Sequence, residues 1–410
     1  MKKSSIFNKK YSRNTNYGNT DYDCDDCACD CACDCDCACD CDYDCVDYAS
    51  VPNLTAWLHI TNACPLGCHY CYIQKSNDAM PFEVGQKAIQ TVFQEALKHG
   101  YQVVKLKYAG GEPTLNFGLV EALHQQAHQL ADQHGLQLDE VLLTSGVMSA
   151  QVQQRLIKMG MRVMVSLDGL GMEHDNNRPL LSGLPTAHMA RESLIALKQA
   201  EVSVVVSITV TRQPAHSLIA LMEFLLEWEI PFSLSFARDN AAFPNREQFM
   251  PYNEQLITTM QVIINHFAQK PSRQSLLHAL TDRANLGQEH HYTCAVGRNY
   301  LVIDHQGNIA MCQQEMQTPI TTIYEADPLS KVINNDIGIK NLPVDEKEGC
   351  RDCEWKYYCA GGCAALTTKV YGRPDTRSPF CEVYKTIFPE VIRLEAAREI
   401  IEWSESANGK

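Results

Sequence analysis

No apolar run in this chain approaches the 18 or so residues that a membrane-crossing helix needs. The opening stretch, MKKSSIFNKKYSRNTNYGN, lacks the apolar segment of a secretory signal, so a soluble, cytoplasmic protein is expected. Basic residues are in deficit: 35 Lys and Arg stand against 49 Asp and Glu, a formal charge of −14. Nucleic acids and anionic membranes are bound by basic faces, so neither is an expected partner. A third absence is local. The 222 residues from Tyr72 to Thr293 contain no cysteine, although the chain holds 20. Cysteines used as small core residues would be scattered, and so many in a reducing compartment indicate metal or redox chemistry rather than a disulfide framework.

The cysteines fall into three groups: ten between Cys24 and Cys45, three between Cys64 and Cys71, and seven between Cys294 and Cys381. The first group belongs to residues 1–50, whose centre reads CDDCACDCACDCDCACDCDYDC. That segment has eleven Asp against five Lys or Arg, and too little apolar surface to order itself, so a disordered Cys/Asp-rich tail is expected. Four readings of residues 24–45 stand open: a substrate fused in cis, a metal-binding segment, a carrier of iron or thiol electrons, or a low-complexity extension.

With 410 residues, two or three domains are expected. From residue 55 to 240, strands (56–61, 103–110, 141–146, 162–169, 202–210, 232–239) alternate with amphipathic helices (83–99, 116–134, 149–159, 187–200, 215–228). Near-continuous apolar strands between helices predict a parallel sheet covered on both faces. About six βα units fall short of the eight of a closed barrel, so the fold class is α/β, a partial (β/α)6 barrel. A helical bridge occupies 241–289, with its helix at 251–269. Residues 290–385 are loop-rich, with a short strand at 299–304 and seven cysteines to staple them. The stretch 386–410 reads as a C-terminal helix.

CPLGCHYC puts Cys64, Cys68 and Cys71 on one loop after the first strand. Three thiolates can hold three irons of a cubane cluster and leave the fourth open to a small molecule. A structural zinc loop is the alternative, but zinc wants a fourth ligand at a compatible spacing. About forty residues on comes GGEPT (110–114). The pair resembles the radical S-adenosylmethionine superfamily. That resemblance implies a [4Fe–4S] cluster on Cys64, Cys68 and Cys71 whose open iron binds S-adenosylmethionine. It places Gly110, Gly111, Glu112 and Pro113 along the methionine amino group, with Glu112 as acceptor for the ammonium, and Tyr70 near the adenine. SLDG (166–169) and HDNNRP (174–179) look like segments of the peptide- and sulfatase-modifying branch. By that match Ser166 would bond the ribose hydroxyls and Arg178 would clamp the carboxylate; the alternative is a strand-end turn and a surface arginine.

The remaining cysteines read C294-x12-G307-x4-C312, C350-x2-C353-x5-C359-x3-C363 and C381. This is similar to the SPASM pattern of radical S-adenosylmethionine enzymes acting on peptides, which implies two auxiliary [4Fe–4S] clusters; paired structural zinc sites are the alternative. The resemblance assigns Cys350, Cys353, Cys359 and Cys381 to an outer cluster, and Cys294, Cys312 and Cys363 to an inner one. Seven thiolates cannot close two cubanes, so a substrate thiolate, a non-cysteine ligand or water would complete the inner one. In formylglycine-forming maturases an Asp follows the second SPASM cysteine as base, whereas Gln313 stands here and cannot accept a proton at neutral pH. The expected function is a radical peptide maturase that generates a 5′-deoxyadenosyl radical and forms thioether cross-links in a Cys-containing peptide, in trans or its own tail. A flavodoxin or ferredoxin would serve as electron donor. A sulfatase-maturase-type enzyme and a non-catalytic metal-storage or sensor protein are the alternatives.

Overall fold

In the computed structural model the described residues are 52–238 and 246–408; the Cys/Asp-rich tail and its expected disorder lie outside them. The chain order is β1 (Asn53–His59), α1 (Phe82–Lys98), β2 (Val103–Ala109), α2 (Phe117–His134), β3 (Gln137–Thr144), α3 (Ala150–Met159), β4 (Arg162–Ser166), α4 (Met172–Asn177) and α5 (Ala187–Gln199). Then come β5 (Val204–Val210), α6 (Ala215–Glu227), β6 (Phe232–Phe236), α7 (Arg246–Gln269), β7 (Tyr300–Ile303), β8 (Asn308–Ala310), β9 (Thr321–Thr322), α8 (Pro328–Ile333), α9 (Lys356–Cys359), α10 (Ala364–Tyr371) and α11 (Cys381–Asn408). Among the described residues no helix is long and apolar enough to cross a membrane.

One sheet runs β6-β5-β4-β3-β2-β1-β7-β8-β9. Strands β1 to β6 are mutually parallel and each crossover carries a helix, while β6 and β9 end the sheet far apart in strand order, so the barrel is partial, as expected. β5 (VVVSITV) illustrates the cause: branched side chains suit a pleat packed on both faces, and most of its residues are buried. Each Val or Leu buried in this way contributes about 1.5–3 kcal/mol.

Several boundaries differ from the sequence reading, and three of them are instructive. β3 starts at Gln137 because pairing with β2 imposes strand geometry on the polar QLDE, where apolar periodicity gives no signal. α7 starts at Arg246, five residues before Pro251, which sits inside the helix and costs it a hydrogen bond. α11 starts at Cys381 because Phe380, Tyr384 and Phe388 pack with Phe236 and Phe249 into one aromatic cluster; Phe249 and Phe380 have ring centroids 4.9 Å apart. β7 pairs in parallel with β1, Thr55 opposite Tyr300, so the sheet continues into the cysteine-rich region.

Candidate functional site

The loop after β1 carries Cys64, Cys68 and Cys71, and backbone hydrogen bonds brace it from two sides. On one side Gly111 N–H donates to Thr61 O at 2.6 Å and Glu112 N–H to Ala63 O at 2.8 Å. On the other, Gly67 N–H donates to Pro179 O at 2.6 Å, His69 N–H to Asn177 O at 3.2 Å, and Leu181 N–H to Pro65 O at 2.8 Å. GGEP and NRPL thus grip the cysteine loop between them. Lys75 adds a third brace, its ammonium donating to Leu66 O.

The two glycines are required by this grip. A Cβ at Gly110 would lie 2.5 Å from Thr61 O, and one at Gly111 would lie 2.3 Å from Ala63 O. Both oxygens are backbone and cannot swing away. Gly111→Ala is therefore expected to part the GGEP and cysteine loops and destabilise the fold by about 3 kcal/mol. Denaturant unfolding checks this; a midpoint like that of the parent would mean that the loop yields freely.

Glu112, expected to face an ammonium, is fully buried and wholly engaged by protein donors. Oε1 accepts from Thr114 N–H at 3.2 Å, Thr114 Oγ1 at 2.7 Å and Thr144 Oγ1 at 2.8 Å; Oε2 accepts from Ser145 N–H at 2.8 Å and Ser145 Oγ at 2.6 Å. It welds the GGEP loop to the end of β3. Pro113 begins the short turn that follows, buried beside it.

Arg178, expected to clamp a carboxylate, holds one from the protein itself. Its Nε donates to Asp168 Oδ2 at 2.8 Å and its Nη2 to Asp168 Oδ1 at 3.2 Å. The Tyr70 hydroxyl donates to the same Oδ2, Thr209 N–H donates to Oδ1 at 2.9 Å, and the guanidinium lies 5.2 Å from the Tyr70 ring centre. Asp168 has no exposed surface and is the hub of this network. The sequence reading quoted SLDG but singled out Ser166, which sits half-buried at the end of β4. An acidic residue two positions past a barrel strand, ten residues before an arginine, was the signal for Asp168.

His174 completes the underside. Its Nδ1 accepts from Asp168 N–H at 3.1 Å, so the neutral ring carries its proton on Nε2. Burial lowers its pKa from the ordinary 6.5 to about 4. An unfolded chain therefore takes up this proton first: the stabilisation is complete above pH 6.5 and is lost as pH falls through about 4. The loss is expected to be about 3 kcal/mol. In His174→Gln the unfolding free energy should fall less steeply from pH 6.5 to 4.5 than in the parent; equal slopes would remove His174 as the cause.

The thiols sit in desolvated surroundings. Burial pushes Cys64 up to about 12 and raises Cys68 as well, with Lys75 and Arg178 opposing. A metal must therefore displace protons to bind here, and the nearby cations favour the thiolates that result.

The seven C-terminal cysteines come together as two groups. Cys350, Cys353, Cys359 and Cys381 line one cavity with Trp355, Tyr384 and Lys385. Cys312 lies near Cys363 and Cys294, and burial pushes its thiol up to about 12. Burial likewise pushes Cys359 to about 12 and Cys350 to about 11. The groups are joined by CAGGC (359–363), in which Ala360, Gly361 and Gly362 all have positive φ, of 46°, 75° and 71°. This left-handed run lets the chain turn from one group to the other within three residues. Lys347 fills the gap, 1% exposed, its Nζ donating to Ala360 O at 2.8 Å within range of Cys350, Cys294, Cys359 and Cys363. The sequence reading missed it; a lone Lys between glutamates looks like solvated surface.

Asn341 steadies the inner group, donating from Nδ2 to Cys294 O at 2.7 Å. Gln313 Oε1 accepts from Tyr300 OH at 3.2 Å, which occupies the side chain standing where a base was sought. All ten described cysteines are free thiols. Ten buried or half-buried soft ligands in groups of three, four and three fit iron–sulfur clusters better than disulfides or scattered core residues.

Comparison with known proteins places these sites in context. The sequence pattern of the Radical SAM superfamily matches residues 58–225. An uncharacterized protein of Methanocaldococcus jannaschii is 26% identical over 180 residues, 44% of this chain and 60% of that protein. The PqqA peptide cyclase of Xanthomonas euvesicatoria is 22% identical over 338 residues, 81% of this chain and 88% of the cyclase. Among solved structures, anSMEcpe with bound AdoMet and the Cp18Cys peptide superposes with a TM-score of 0.67 at 18% identity, covering 85% of this chain and all of that one. Streptococcus suis SuiB bound to its precursor peptide SuiA gives 0.55 at 17% identity, covering 80% and 75%. These likenesses extend the fold beyond the superfamily match into the cysteine-rich region.

Proposed function

Because residues 58–225 belong to the Radical SAM superfamily and the chain is accordingly an enzyme, we propose that it uses S-adenosylmethionine and iron–sulfur clusters to modify a peptide. The observation that carries this reading is the three-thiol loop gripped between GGEP and NRPL, with seven more thiols in two groups behind it. Cys64, Cys68 and Cys71 would hold the S-adenosylmethionine cluster; Cys350, Cys353, Cys359 and Cys381 the outer auxiliary cluster; Cys294, Cys312 and Cys363 the inner one. Bound there, these groups would supply one-electron radical chemistry able to abstract hydrogen from carbon.

The chain's own residues fix where that happens. Gly110 and Gly111 hold the thiol loop close to the sheet. Glu112 keeps GGEP against β3, and Asp168 holds Tyr70 and Arg178 beside Cys68. Ser166 would bond the ribose hydroxyls, and Pro113 would line the methionine amino group with the rest of GGEP. Arg178 would act by positioning and by charge, since Asp168 has taken its fork.

A peptide substrate is supported by relatives and structural neighbours named for peptides: PqqA peptide cyclase, the peptide-bound anSMEcpe and SuiB with SuiA. Thioether cross-linking is the favoured outcome, since an inner group of three thiols leaves room for a substrate thiolate and residues 24–45 are themselves cysteine-rich. A flavodoxin- or ferredoxin-type protein would deliver the electron. Formylglycine formation is disfavoured by Gln313 and its bond from Tyr300.

The test is anaerobic turnover of reconstituted protein with S-adenosylmethionine and a reductant. Formation of 5′-deoxyadenosine is expected, with loss of two hydrogens per cross-link from the N-terminal peptide or a supplied Cys-containing peptide. If no 5′-deoxyadenosine forms, the reading fails; if it forms and no peptide loses hydrogens, only the cross-linking assignment fails.

A further inference from the structure

On the helix-covered side of the sheet, three metal-ligating side chains meet. His124 and His128 are one helical turn apart on α2, and Glu140 lies on β3 beneath them. His124 Nδ1 is 2.7 Å and His128 Nε2 2.9 Å from the same oxygen, Glu140 Oε2. The two rings are 4.3 Å apart between centres and tilted by 70°, so their nitrogens converge rather than stack. The other carboxylate oxygen, Oε1, accepts from the Tyr108 hydroxyl at 2.6 Å.

We propose that His124, His128 and Glu140 form a binding site for a first-row divalent cation, zinc by ligand type. Two imidazoles and one carboxylate oxygen are a recurrent zinc set that leaves a fourth position for water. Tyr108 supplies the outer partner that fixes a ligating carboxylate, leaving Oε2 to the ion. Ligands about 2.0 Å from a tetrahedral ion stand about 3.3 Å apart, so each ring nitrogen would draw back from Oε2 by only a few tenths of an ångström to share an ion with it. The Glu140 side chain is 5% exposed and the His128 side chain 55%, so the carboxylate is desolvated while the ion has an entry path.

A second cluster, Glu95, His99 and Asp327, makes a useful contrast. There Glu95 accepts from Leu329 N–H at 2.8 Å, and Asp327 caps Ser330 N–H at 3.0 Å and pairs with Lys98 at 2.8 Å. Its oxygens already serve the fold. At the Glu140 cluster the partners of Oε2 are the two rings that would themselves become ligands. An ion there would tie α2 to β3, the strand whose end, Thr144 and Ser145, holds Glu112.

The experiment uses full-length protein with its iron–sulfur sites reconstituted and the remaining thiols of residues 24–45 alkylated, then exposed to zinc ions and desalted. One zinc per chain is expected, with an X-ray absorption edge fitted by nitrogen and oxygen at about 2.0 Å and no sulfur at about 2.3 Å. His128→Ala, at an exposed position, should bind zinc at least tenfold more weakly with an unchanged circular dichroism spectrum. His124→Ala should do the same, and zinc should raise the melting temperature of the parent alone. Zinc bound only through sulfur, no retained zinc, or equal retention by parent and both variants would each overturn the assignment.

Discussion

Asp168→Ala is expected to lower the unfolding free energy by about 3–5 kcal/mol. The carboxylate is fully buried and accepts from Arg178 twice, from Tyr70 and from Thr209 N–H. Removing it leaves a buried guanidinium without its counter-charge, which costs more than the loss of the bonds themselves. Adding Arg178→Leu to Asp168→Ala should recover part of the loss, because the stranded charge goes with it. The double-mutant cycle measured by denaturant unfolding checks this; additive losses would mean that the pair does not couple. Iron uptake at Cys64, Cys68 and Cys71 should also fall in Asp168→Ala, since Tyr70 lies between two of those cysteines and Arg178 stands within the NRPL segment that grips their loop.

The combined substitution Cys64→Ala, Cys68→Ala, Cys71→Ala is expected to bring 5′-deoxyadenosine formation down to the level of a protein-free control. It should also remove about four irons per chain, one cubane, and leave the iron of the auxiliary groups in place. The geometry supports independence: the three thiols sit on the loop after β1, whereas the other seven lie along residues 294–381 with Lys347 between their two groups. Activity retained without these thiols would refute the cluster assignment. Iron lost from all sites together would instead refute the separation into three groups.

Much of the fold was legible because its signals are local. β-branched runs such as VVVSITV and helical apolar spacing are properties of ten or fifteen consecutive residues, and the strand order follows from repeated crossovers. The grouping of the ten described cysteines was legible for the same reason, since their spacing is written along the chain. The polar start of β3 was not, because QLDE becomes strand only by pairing with β2. Nor were the uses of Glu112 and Arg178. Each is a charged residue in a recognisable motif, and beyond the neighbouring Thr114 they bond partners 10 to 33 residues away, Arg178 at Asp168 and Glu112 at Thr144 and Ser145.

By itself, then, the sequence determined the class of chemistry: three thiols on a loop, seven more at fixed spacings, and a βα frame to carry them. Only the tertiary structure decided how that chemistry is held. It brought GGEP and NRPL to opposite sides of one loop, turned the chain at Ala360–Gly362 so that two thiol groups share Lys347, and set Glu140 under two histidines of α2. The physical reason is that spacing encodes which ligands exist, while a buried charge is placed by whatever partners the fold delivers to it. Asp168, Lys347 and Glu140 are ordinary polar residues in the sequence; desolvation and their partners give them their roles.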